Sequence, residues 1–68
     1  MQPMYQRIAE DIRAQIRAKV LKSGDKLPST RELCEQYEVS ITAVRQAVLV
    51  LRTEGLVVGI SGKGVYVR

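Results

Sequence analysis

Apolar residues recur at helical spacing three times along the chain and then give way to two short β-branched runs. In the first segment Tyr5, Ile8, Ile12, Ile16 and Val20 form one stripe, while Arg7, Glu10, Arg13, Arg17 and Lys19 mostly fall elsewhere. With Pro3 suited to a helix start, this spacing predicts a first helix over 4–20. Glu10, Asp11, Arg13 and Lys19 read as a solvated face, and Tyr5 as a packing residue close enough to the amino end to reach a phosphate. Ser23-Gly24-Asp25 is turn chemistry, and Lys26-Leu27-Pro28 reads as an extended piece that can form a short first strand. Ser29-Thr30-Arg31-Glu32 has the form of a capping box and opens a second helix over 30–38, burying Leu33, Cys34 and Tyr37.

Glu38-Val39-Ser40 then makes a short turn, with Val39 plugging the corner, so the second and third helices form a helix-turn-helix. In the third segment Val44, Ala47, Val48 and Leu51 recur at i, i+3, i+4, i+7. Ser40 is a suitable N-cap and Gly55 a suitable left-handed stop, which predicts a helix over 41–54. Leu56-Val57-Val58-Gly59-Ile60 and Val65-Tyr66-Val67-Arg68 flank Ser61-Gly62-Lys63-Gly64, the pattern of a β-hairpin over 56–68 with a glycine-rich tip. The fold class expected is mainly α with a small β wing: one winged helix-turn-helix domain over residues 1–68.

The face of the third helix opposite its apolar stripe carries Thr42, Gln46 and Thr53, with Arg45 and Arg52 on the flank. Hydroxyl, amide and guanidinium groups near the first turns of a helix reach base edges and phosphates without steric block, as a DNA-reading helix requires. Leu49 falls on the outward side as an exposed apolar residue. Ser29 and Glu32 are accounted for by capping, but Arg31 is needed by neither cap nor core and opposes the helix dipole. A phosphate at the start of that helix would make use of both its free amides and Arg31. Glu35 and Glu38 lie at the other end of the helix, toward solvent. Turn geometry explains Gly62 and Gly64 but not Lys63, which can reach a phosphate or the rim of a minor groove.

Composition narrows the function. Sixty-eight residues make one small domain with a thin core. There is no histidine and only one cysteine, Cys34, which reads as a small core residue. A metal site, a cofactor, a disulfide framework and an enzyme active site are therefore not expected. No apolar run is long enough to span a bilayer and the first residues lack a signal pattern, so the expected setting is cytoplasmic. The formal net charge is +4, with a pI near 9.6, which favours a polyanionic partner. Residues 1–22 hold five basic and two acidic side chains and residues 40–68 hold four and one, whereas residues 30–38 hold one and three. Negative charge is thus concentrated in the second helix.

Leu27-Pro28-Ser29-Thr30-Arg31-Glu32-Leu33, then Val39-Ser40, Thr42 and Val44-Arg45, then Leu51, Glu54-Gly55-Leu56 and Gly62-Lys63-Gly64-Val65-Tyr66-Val67 follow one another in a familiar order and spacing. In these residues, which run through nearly the whole chain, it resembles the N-terminal DNA-binding domain of the GntR family of bacterial transcription regulators. The resemblance implies a repressor that binds a pseudo-palindromic double-stranded operator as a homodimer. It also implies DNA contacts by Arg31 and Arg45, phosphate or base contacts by Ser40 and Thr42, and Gly62 at a wing tip in the minor groove. Two positions depart from the family pattern: Ile41 stands where arginine is frequent and Ala43 where threonine is. Either can touch a thymine methyl, but neither can bond guanine O6 and N7. The family normally adds a C-terminal effector-binding domain, and the chain stops at Arg68, where that domain would begin. No small-molecule site is expected within these residues.

The expected DNA-facing set is Ser29, Thr30, Arg31, Ser40, Ile41, Thr42, Ala43, Arg45, Gln46, Ser61, Gly62 and Lys63. The competing class is a winged helix that docks a protein partner through Ile41 and Leu49. An RNA-binding variant is disfavoured by the absence of phenylalanine and tryptophan for base stacking.

Overall fold

In the computed structural model, which describes residues 3–68, three helices are followed by a β-hairpin. The helices are α1 (Met4–Arg17), α2 (Thr30–Tyr37) and α3 (Ile41–Thr53), and the strands are β1 (Val57–Ile60) and β2 (Gly64–Val67). Each helix contributes its stripe to one core: Ile8, Ala9 and Ile12 from α1, Leu33 from α2, and Val44, Ala47 and Leu51 from α3. Leu27, Val57 and Val67 close it from the side of the hairpin, and Tyr37, Cys34, Val39 and Val48 pack around it half-buried.

The first helix is shorter than its periodicity predicts. Lys19 adopts the left-handed conformation, with φ 63°. The Lys19 amide then donates to Ile16 (3.2 Å) and the Val20 amide to Gln15 (2.9 Å), a Schellman stop built without glycine. Val20 is swung off the stripe and left 66 % exposed, and half-buried Leu21 packs against the core instead. Arg13 also departs from the solvated face expected of it. Its Nε and Nη2 donate to the two carboxylate oxygens of Glu54 at 2.9 and 2.8 Å, tying α1 to the end of α3.

The other two helices stop for local reasons. Glu38 caps α2 in the left-handed region, at φ 54°. After α3, Gly55 at φ 78° allows its amide to reach Arg52 and the Leu56 amide to reach Leu51, both at 3.0 Å. The chain then enters the hairpin, whose strands pair antiparallel with Val57 opposite Val67 and Ile60 opposite Gly64. The extended piece expected before Pro28 is present as a third edge. Lys26 bridges Tyr66, the Leu27 amide donates to Val65, and the Val67 amide donates to Asp25. Strand β2 is thereby held from both sides, which fixes the wing against the body of the domain.

Candidate nucleic-acid interface

The residues expected to meet DNA lie on three short segments, each positioned by its own capping or turn chemistry. At the start of α3, the Ser40 hydroxyl accepts the Ala43 amide at 3.2 Å. Burial of Val44, Ala47 and Leu51 against the core turns Ile41, Thr42, Arg45 and Gln46 to solvent. The side chains of Thr42, Arg45 and Gln46 make no hydrogen bond or ion pair among the described residues. Their donors and acceptors are free for an external partner. Ala43 is half-buried, so its methyl is a lesser contact than the exposed Ile41, and Thr53 spends its hydroxyl on the Leu49 carbonyl at 2.9 Å.

At the start of α2 the capping box is complete. The Ser29 hydroxyl accepts the Glu32 amide at 3.1 Å, and Glu32 accepts the Ser29 amide at 2.8 Å. That backbone hydrogen bond, more than the hydroxyl, holds the Glu32 carboxyl below its ordinary pKa. A hydroxyl that accepts still has its own proton to donate, so Ser29 and Ser40 can each cap a helix and bond a phosphate. Thr30 is half-buried beside Ser29. Arg31 carries a contact that the sequence reading did not assign: its Nε lies 3.4 Å from Glu35, one turn on. Both side chains are largely in water, so the pair is weak and easily exchanged for a phosphate.

The wing tip is a tight turn. The Lys63 amide closes it on the Ile60 carbonyl at 2.9 Å, with Gly62 in the third position at φ 75°. Ser61, Gly62 and Lys63 are all exposed, and the Lys63 ammonium has no partner among the described residues. An open groove runs between this tip and the helices. It brings Ser29 and Thr30 together with Ser61, Gly62 and Lys63, and its α3 side is formed by Val48 and Arg52. Arg31 and the first turns of α3 do not line it. Helical spacing nevertheless puts Ile41, Arg45, Val48 and Arg52 on one seam of α3, so the exposed first turns continue toward the groove.

Two cations in the groove lie outside the DNA-facing set expected from the sequence: Lys26, and Arg52, which helical spacing places only on the flank of the third helix. The available signal was Gly59 and Gly64, glycines within the β-branched hairpin runs, where a missing side chain can mark close approach by another group.

This arrangement, a capped helix pair with an exposed second helix and a wing alongside, has direct counterparts. Residues 4–67 match the family described as "Bacterial regulatory proteins, gntR family". The chain belongs to the GntR family. Over 64 residues, or 94 % of its length, it is 39 % identical to the Exu regulon transcriptional regulator of Escherichia coli strain K12. Over 65 residues, or 96 %, it is 40 % identical to the HTH-type transcriptional repressor NagR of Bacillus subtilis strain 168. These matches take up 25 % and 27 % of those two relatives, so this GntR chain spans about a quarter of their length. The crystal structure of AraR(DBD) in complex with operator ORX1 superposes with a TM-score of 0.97 at 31 % identity, covering 100 % of this chain and 82 % of that one. The winged helix-turn-helix architecture expected from the sequence is therefore the GntR one.

Proposed function

We propose that this chain is the sequence-specific DNA-binding domain of a GntR-type transcription repressor. The observation that carries this reading is the set of free polar groups on the first turns of α3, Thr42, Arg45 and Gln46, on a fold that in AraR(DBD) is found on operator DNA. Helix α3 enters the major groove, where Arg45 can bond guanine and Gln46 adenine, and Ile41 offers an apolar contact to a thymine methyl. Ser29, Thr30, Arg31 and Ser40 hold phosphates on either side, and the wing tip at Gly62 and Lys63 meets the minor groove or its flanking backbone. Two copies bind a pseudo-palindrome with half-sites about one helical turn apart, roughly 34–36 Å. Occupancy of such a site represses by excluding polymerase.

The reading is tested by selecting bound duplexes from a random pool and titrating the best against salt in a mobility-shift assay. A two-fold symmetric consensus and a steep negative slope of log affinity on log salt are expected. Ile41 and Leu49, 47 % and 53 % exposed, favour the second reading, a protein-docking winged helix. That module would enrich no consensus and show no steep slope.

A further inference from the structure

Two glycines of the hairpin are each overlaid by a cation from another part of the chain. A Cβ placed on Gly59 would meet the Arg52 guanidinium, with Cζ, Nη1 and Nη2 at 3.6, 3.7 and 3.8 Å. Three nearly equal distances mean that the guanidinium lies flat against the glycine. A Cβ on Gly64 would come 2.8 Å from Cε of Lys26 and 3.6 Å from its Nζ. Both cations line the groove between wing and helices, and Lys63 stands at its tip. None of the three has an ion pair among the described residues. Glu32, a carboxylate that feels the charge of Lys26, is committed to the Ser29 amide.

Three positive side chains around one groove repel one another unless an anion joins them. Among the described residues no anion pairs with any of the three. A DNA strand running from the major groove at α3 to the minor groove at Gly62 would lay its phosphodiester backbone along this groove. We propose that Arg52 and Lys26 are phosphate-binding residues for that stretch of backbone, lying in the groove alongside the side-chain-free backbone of Gly59 and Gly64. The proposal rests on the DNA-binding reading above and extends it to residues outside the recognition turns. It differs in kind from the role of Arg45, because a phosphate contact sets register and affinity without reading sequence.

The test uses the 68-residue chain and a duplex selected by the unmodified protein from a random pool. Arg52→Gln and Lys26→Gln should each flatten the slope of log affinity against log salt by about 0.9. The affinity deficit of each then narrows about threefold between 0.05 and 0.2 M salt, as that slope requires. The consensus selected by either variant should be unchanged. Gly59 is not in the left-handed region, so Gly59→Val keeps the strand geometry while adding bulk beside the guanidinium, against which even the β carbon is in contact. It should lose the same increment of slope with no fall in melting temperature. A methylphosphonate at the contacted position should weaken the unmodified protein but not Arg52→Gln. If the unmodified protein binds with a steep slope and Arg52→Gln keeps that slope, the proposal is overturned while the DNA-binding reading stands. If the unmodified protein shows no salt-dependent binding, both fall.

Discussion

Arg13 on α1 grips Glu54 at the end of α3 through two parallel hydrogen bonds, at 2.9 and 2.8 Å, across 41 residues of sequence. The fork fixes the outgoing end of α3 to the helix it packs against most extensively. Glu54 is 40 % exposed, so solvent screening limits what the pair contributes. A double-mutant cycle on Arg13→Ala and Glu54→Ala should give a coupling of about 0.5–1 kcal/mol. Each single change should lower the melting temperature by a few degrees, as about 1 kcal/mol shifts a domain of this size by 4–8 °C. DNA affinity should not change, because neither residue lies on the proposed interface. A coupling of zero would remove the pair from the account of stability.

The capping box at Ser29 and Glu32 predicts a pH dependence whose sign can be worked out. The Ser29 amide lowers the folded-state pKa of Glu32, so the folded state favours the carboxylate. The stabilisation is fully present above the unfolded value, near 4.3, and is lost as pH falls through the lower folded value. Glu32→Gln keeps an acceptor for the cap but removes the charge. It should flatten the acid limb of the melting-temperature profile by lowering the neutral-pH plateau, and leave the melting temperature at the acid end, where the native carboxyl is already protonated, little affected. Ser29→Ala removes the other half of the box and should cost about 1 kcal/mol at neutral pH.

Lys19 is held at φ 63° as the stop of α1, a conformation that costs a side chain more than it costs glycine. Lys19→Gly should raise stability by about 0.5 kcal/mol, the steric relief exceeding the entropy lost by glycine on folding. Chemical denaturation reads this directly, and a drop in midpoint would contradict the geometry at this turn.

On the DNA side, Arg45→Ala should weaken binding to the selected duplex by about 1–3 kcal/mol and relax the consensus at one position. Arg31→Ala should cost a similar amount if Arg31 meets the duplex directly. Glu35→Gln, which frees Arg31 from its exposed pair, should tighten binding instead. Lys63→Gln should weaken all duplexes alike and flatten the salt slope by about 0.9. Equal affinity for the Arg45→Ala and unmodified proteins would reject the major-groove assignment.

What could be read from the sequence was the local chemistry. The Ser29–Glu32 box, the Ser40 cap, the Gly55 stop and the glycine-rich tip each declare themselves within a few residues, and the structure forms all four. The stripe Val44, Ala47, Leu51 is enough to orient α3, because a helical period leaves little freedom about which face is buried. The left-handed Lys19 was hidden, since nothing in a lysine announces a helix stop. Arg13 was hidden because its partner lies on another helix. Lys26 was hidden for the same reason, and Arg52, legible as the flank of α3, showed nothing of the hairpin glycine that the fold brings alongside it.

The central claim, that three separated segments present one DNA-binding surface, is tested most directly by amide chemical shifts of the isotope-labelled chain titrated with the selected duplex. Residues 29–31, 40–46 and 61–63 should shift together and saturate at one stoichiometry, with the opposite side of α1 unmoved. Saturable shifts confined to the outer face of α1, with those three segments silent, would contradict it.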